Sequence, residues 1–217
     1  MTYNFLADRL AGQGYHTHAS VPTLHFDFRG PRIFEEIKAS NADILCLQEV
    51  DRWYDFYGAR FTDLGYKYVF YKRKSRGKEE EGIVVAYKPD KFKELDRDFV
   101  DFDDLVQEYN DGLFRKDNQA MFLLLQHKQS KKRFIVGTAH THYNPTFDYV
   151  KFAQALYGLE RSVNFIQKHC KEDESNIPWI YAGDFNATPK SSVLSLFENK
   201  DVMSADVSDH WTIPADE

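Results

Sequence analysis

The 217-residue chain has little cysteine, proline or glycine: 2, 7 and 11 residues respectively. Two cysteines, Cys46 and Cys170, cannot build a disulfide framework, and neither stands in a CxxC pair, so both read as buried or inert thiols. So few prolines and glycines, beside 18 Phe, 13 Tyr and 3 Trp, exclude a collagenous, linker-dominated or disordered chain. No stretch approaches the run of about 18 apolar residues that a membrane span needs, and Met1-Thr2-Tyr3-Asn4 lacks the charged-then-apolar layout of a secretion signal. The expectation is a soluble, intracellular protein, cytoplasmic before nuclear or organellar. An excess of positive charge is missing as well. The 28 Lys and Arg against 34 Asp and Glu leave a net charge of −6, which argues against non-specific binding along a nucleic-acid duplex and leaves local basic patches open.

What is present is apolar mass, 42% of the residues, enough for one sizeable core. Short apolar runs of strand length alternate with longer amphipathic stretches, the rhythm of an α/β domain. Strands are predicted at 43–48, 66–71, 82–87, 119–126, 133–139 and 179–182. The last pair but one, separated by a polar turn, reads as a hairpin, so the sheet is mixed. Helical spacing is clearest over 148–168, with Val150, Ala153, Leu156, Tyr157, Leu159, Val163 and Ile166 as the inward stripe. Shorter helices are predicted at 31–39, with Pro31 in the first turn, and at 190–198. The charged stretch 72–81 reads as a solvated loop, its basic run a possible contact for a phosphate backbone, and 101–111 as a second, acidic loop.

The strand ends carry the chemistry. The run 43–48 stops at Gln48-Glu49, which puts a carboxylate at the carboxyl end of a buried strand, where α/β folds place their sites. The strand at 179–182 runs into Gly183, then Asp184 and Asn186; in extended geometry these two face the same space while Phe185 turns into the core. His140-Thr141-His142 follows another apolar strand. Two histidines two apart look like metal ligands, but no further His or Cys stands at suitable spacing, so a hydrogen-bonding role to phosphate fits better than zinc. Asn4, near the start, is informative only in company with the others.

Taken in order, Tyr3-Asn4, Leu47-Gln48-Glu49, Ala139-His140-Thr141-His142 and Gly183-Asp184-Phe185-Asn186 resemble the endonuclease/exonuclease/phosphatase superfamily, the DNase I-like metal-dependent phosphoesterases. Asn4-Phe5-Leu6-Ala7, Arg29, Lys116-Asp117-Asn118 and His142-Tyr143-Asn144-Pro145 make it similar to the branch of poly(A)-specific deadenylases, nocturnin and the Angel proteins. The resemblance implies a four-layer α/β/β/α sandwich of two mixed sheets. It implies Mg²⁺, with Mn²⁺ as a substitute, held by Glu49 with help from Asn4; one or two ions stay open. Asp184 corresponds to the carboxylate that orients or deprotonates water, His140 and Asn186 to groups that hydrogen-bond the phosphate, and Asn118 to a substrate contact. Asp117 and Arg29 correspond to bracing residues. A sparse carboxylate set of this kind suits Mg²⁺, which keeps several waters. The implied substrate is a single-stranded RNA end or a nucleotide phosphoester, whose bases stack on aromatic rings. The alternatives are a weak or inactive paralogue that binds RNA or a protein, and a phosphatase acting on a nucleotide or phospholipid.

The family ends on a strand and a Ser-Asp-His whose histidine is catalytic. Ser208-Asp209-His210 has those letters, but only 24 positions separate Asn186 from His210, and no strand of the family's kind lies between. The triplet reads as coincidence, with a rearranged C-terminus that delivers His210 as the alternative. The expectation is one domain over 1–217, incomplete at its C-terminus, from a fragment, a shortened gene or a degenerate copy.

Overall fold

The computed structural model describes residues 1–12, 14, 16–74, 81–170 and 177–198. In chain order these form β1 (Thr2–Asn4), α1 (Asp8–Ala11), α2 (Val21–Leu24), α3 (Phe26–Ser40), β2 (Ile44–Val50), α4 (Gly58–Asp63), β3 (Lys67–Lys72) and β4 (Gly82–Tyr87). There follow β5 (Phe92–Asp101), α5 (Leu105–Tyr109), β6 (Gln119–His127), β7 (Arg133–His140), α6 (Asp148–His169), β8 (Trp179–Asp184) and α7 (Ser192–Phe197). Two four-stranded sheets result, ordered β1-β2-β4-β3 and β5-β6-β7-β8. Each is mixed, because β1 is parallel to β2 and β8 to β7 while the remaining pairs are antiparallel. Among the described residues no helix is long and apolar enough to cross a membrane.

Period-two alternation explains why two sheets stack and why both also need helices. Met121, Leu123 and Leu125 of β6 meet Cys46 of β2 and Ile83 and Val85 of β4 in the layer between the sheets. The alternate residues of β6, Ala120, Phe122 and Leu124, face outward under α6, with Val150, Phe165 and Ile166. Leu45, Leu47, Val84 and Ala86 face out on the other side, against Ile33 and Ile37 of α3 and Phe61 of α4. Strands apolar on both faces are the expected outcome for sheets covered on both sides. Burial pushes the Cys46 thiol up to about 12, which makes it inert.

Several sequence expectations need correction. Helix α3 starts five residues earlier than predicted, so Pro31 lies inside it rather than in its first turn. The buried face of α6 is built from Val150, Lys151, Gln154, Ala155, Gly158, Ser162, Phe165 and Ile166, and Val163 is 45% exposed. Polar Gln154 and Ser162 turn inward because they have hydrogen-bonding partners there, which a purely apolar stripe overlooks. The acidic stretch 101–111 is a 3₁₀ turn (Phe102–Asp104) running into α5. Its acids act as caps: Asp101 accepts from Asp103 N–H and Asp111 from Leu113 N–H. Within the charged stretch 72–81, Arg73 and Glu81 are 5% and 1% exposed, buried rather than solvated; 75–80 lie outside the described residues.

Candidate active site

Strand β2 pairs with β4 from Ile44 opposite Tyr87 to Leu47 opposite Val84, then slips by one residue and resumes at Val50 opposite Gly82. The extra residue makes a β-bulge, and within it Glu49 adopts a φ of 52°. A bulge bends its strand and re-aims a side chain. Gln48 stays buried between the sheets, donating from Nε2 to Thr138 Oγ1 at 2.9 Å. Glu49 turns toward β1 and β7 instead. Its Oε1 accepts from Asn4 Nδ2 at 3.0 Å and its Oε2 from the Ala7 backbone N–H at 3.0 Å.

The second carboxylate arrives from the other sheet. Asp184 ends β8, in parallel register opposite His140 at the end of β7. Its Oδ2 accepts from Asn4 Nδ2 at 2.8 Å and its Oδ1 from Asn186 N–H at 2.9 Å. One amide nitrogen, on the edge strand β1, therefore ties together carboxylates from two sheets. The Asn4 oxygen accepts from Leu6 N–H at 2.8 Å. Asn186 does not continue the strand. Its φ of 48° turns the chain, so it meets Asp184 through a tight turn rather than by the strand alternation that sequence geometry implied. Its Nδ2 donates to Thr141 O at 3.0 Å, and its carbonyl accepts from the buried Lys151 Nζ at 3.2 Å.

His140 is 5% exposed, with Nε2 3.6 Å from Glu49 Oε1 and Nδ1 2.8 Å from Arg73 Nη2. Burial, and then the neighbouring Arg73 charge, lower its pKa, so the neutral ring is favoured. Asn118 is 4% exposed and sits behind it: its Nδ2 donates to His140 O at 3.0 Å, and its Oδ1 accepts from Gln154 Nε2 at 3.4 Å. Asp117 takes a φ of 56° and accepts from Lys74 N–H. Arg29 donates to Phe5 O and Leu6 O, holding the chain just after Asn4. His142 packs against Tyr143 and Phe147; burial and the Lys116 and Lys151 charges push it down to about 4.

Asn4, Glu49, His140, Asp184 and Asn186 thus form one hydrogen-bonded or contacting set, with Asn118 a step behind. Ser208, Asp209 and His210 lie outside the described residues. Sequence reasoning missed Arg73, Glu81, Gln154 and Lys151, all buried and all holding a site residue or its partner. The first two hide in a charged run whose composition says solvent. No group of three His, Cys, Asp or Glu side chains among the described residues gathers as a metal cage. The oxygen donors are instead the two carboxylates of Glu49 and Asp184, a sparse hard-oxygen set that suits Mg²⁺ with most of its waters retained.

Comparison with known proteins bears on the family and the fold. The sequence profile of the Endonuclease/Exonuclease/phosphatase family matches residues 1–216. Protein angel homolog 2 of Homo sapiens is 35% identical over 210 residues, covering 91% of this chain and 36% of the relative. The CCR4-Not complex 3'-5'-exoribonuclease subunit Ccr4 of Candida glabrata is 30% identical over 216 residues, 91% of this chain and 25% of the relative. Among solved structures, ANGEL2, a 2',3'-cyclic phosphatase, in complex with adenosine-2',3'-vanadate superposes with a TM-score of 0.80 at 32% identity, over 91% of this chain and 56% of that one. The human nocturnin catalytic domain, at 24% identity and a TM-score of 0.72, shares the fold over 91% of this chain and 67% of that one. The chain spans about a quarter to a third of the length of these two curated relatives.

Proposed function

Since the chain belongs to the endonuclease/exonuclease/phosphatase family, we propose that it is a Mg²⁺-dependent phosphoesterase that hydrolyses the phosphoester at a single-stranded RNA end or of a nucleotide. The observation that carries this reading is the Asn4 amide held between Glu49 and Asp184, at 3.0 and 2.8 Å, with His140 alongside. Two carboxylates this close repel one another, and a cation between them relieves that repulsion. Glu49 would be the principal holder of the ion; Asn4, whose oxygen bonds Leu6 N–H while its nitrogen faces the carboxylates, would join it only with its amide turned over. When bound, the ion neutralises charge on the phosphoryl oxygens.

The protein's own groups do the rest. Asp184 is oriented by a hydrogen bond on each oxygen, from Asn4 and from Asn186, and takes the proton of the attacking water as its oxygen bonds phosphorus and the ester bond to the leaving oxygen breaks. His140 and Asn186 hydrogen-bond the phosphate, and donors aimed at developing charge are worth about 10² to 10³ in kcat each. Asn118 supports substrate by fixing the backbone of His140. Curated relatives include a 3'-5'-exoribonuclease subunit, and the ANGEL2 structure carries an adenosine-2',3'-vanadate; both favour an RNA end as the substrate class.

The test is turnover of poly(A), of an oligonucleotide ending in a 2',3'-cyclic phosphate and of a nucleotide phosphate, with Mg²⁺ and with chelator. Expected is Mg²⁺-dependent release from at least one, with Glu49→Ala and Asp184→Ala each lowering kcat/KM by about 10²-fold or more. No turnover of any of the three, alongside tight RNA binding, overturns the enzyme reading in favour of a binding protein. Unchanged activity in Glu49→Ala overturns the assignment of the ion.

A further inference from the structure

We propose that Arg73 is a positioning residue that fixes His140 as its Nε2–H tautomer, so that the ring presents a hydrogen-bond donor on the side of Glu49. The role rests on the reading of the site above. Arg73 follows β3, and its backbone N–H donates to Glu81 O at 2.9 Å, extending the β3–β4 ladder by one residue. Its side chain is only 6% exposed and is held at three points. Nε lies 3.0 Å from Glu81 Oε1, Nη1 donates to Asp117 O at 3.1 Å, and Nη2 lies 2.8 Å from His140 Nδ1. Glu81 is itself held by Arg9, whose Nε donates to Oε2 at 2.9 Å. The guanidinium fork is thus oriented by an ion pair and a carbonyl before it reaches the ring.

The chemistry of the contact leaves one arrangement. Guanidinium carries five N–H donors, has no acceptor and does not deprotonate in proteins. At 2.8 Å, Nδ1 must therefore accept, which puts the ring proton on Nε2. That nitrogen sits 3.6 Å from Glu49 Oε1, beyond hydrogen-bond range, and its proton is left for a ligand held beside Glu49. In the other tautomer the ring would offer the phosphate a lone pair and present an N–H to the guanidinium.

The test compares Arg73→Lys, which keeps a donor, with Arg73→Met, which has none. The double variant Arg73→Met/Glu81→Gln avoids leaving a buried carboxylate with one partner fewer and guards against misfolding. Long-range proton–nitrogen spectra of the rings at neutral pH, with the His140 signals assigned by their loss in His140→Ala, are expected to show protonated Nε2 in the native chain and in Arg73→Lys. Both Met variants are expected to show a mixture of tautomers. In turnover assays, Arg73→Met is expected to lower kcat by about 10 to 100-fold, with KM unchanged within about two-fold, and to add nothing to the loss in His140→Ala. A native ring carrying its proton on Nδ1, an unchanged tautomer in both Met variants, or additive losses with His140→Ala overturns the proposal. If no substrate is turned over, the functional reading fails, and the ring spectra still decide this one.

Discussion

At Glu49 the backbone leaves the extended conformation its neighbours keep. A left-handed φ on a non-glycine residue costs on the order of 1–3 kcal/mol and persists where the surroundings hold it; here the Asn4 amide and the Ala7 N–H do so. The carboxylate was legible as the residue where an apolar run stops, as were His140 and Asp184. The bulge that aims it was not, because nothing in Leu47-Gln48-Glu49-Val50 distinguishes a slipped register from a regular one. Arg73 and Glu81 were illegible for a different reason, since burial of a charge is decided by partners far apart in sequence. His142 gives a residue-scale prediction. Its folded-state pKa of about 4 lies below the ordinary 6.5, so below pH 6.5 the unfolded chain binds the proton more readily. Stability that is present above pH 6.5 is lost as the pH falls toward 4. His142→Asn is expected to flatten the decline of the urea midpoint in that window and to leave it alone above pH 7.5; an unchanged slope counts against the assignment.

At the scale of elements, the long helix and the six strands with clear apolar runs were readable to within two or three residues. Strand β5 was not. A bulge between Glu94 and Asp96 breaks its alternation: Phe92 and Glu94 share the inter-sheet face with Leu125, whereas Asp96 and Asp98 share the helix face with Leu124 and Phe122, and these two acids are paired, Asp96 with Lys168 and His169 and Asp98 with Arg161. Charges that serve as partners for helix α6 mask the strand pattern. The approach of β8 to β7 depends on Gly183, where a Cβ would collide with the Ala139 carbonyl and amide. Gly183→Ala must push the strands apart next to Asp184. The expected result is a loss of about 1–3 kcal/mol in denaturation midpoint measurements, with a fall in kcat of about 10²-fold, because a shift near 1 Å at the chemistry is enough. A variant as stable and active as the parent would show that the ladder tolerates the methyl group.

Over the whole molecule, net negative charge coexists with a site whose carboxylates come from separate sheets. The α/β class and a mixed sheet could be read from the alternating apolar runs, while the two stacked sheets followed only from the family resemblance. Which sheet each strand joins could not, since β1-β2-β4-β3 and β5-β6-β7-β8 depend on pairings across the chain. An ion held at Glu49 as proposed, next to Asp184 from the other sheet, would tie the two sheets together, so the whole unfolding equilibrium should feel it. At about 100 times its Kd, such a ligand adds about 2.7 kcal/mol. Mg²⁺ is expected to raise the melting temperature, chelator to reverse the rise, and Glu49→Gln to abolish it; an equal rise in Glu49→Gln removes that carboxylate from the ion's coordination.

Strands β1 and β8 are each the margin of their sheet among the described residues, and Asn4 and Asp184 sit on them. Margins open first. A three-residue strand paired on one side only can swing away while β2, β4, β6 and β7 remain closed, and a partial opening of that kind takes little of the total stability. The proposed catalytic arrangement is thus a property of a smaller and less protected cooperative unit than the core beneath it. Ligand that stitches Asn4 to Asp184 slows amide exchange at these two edges before it changes anything in the interior.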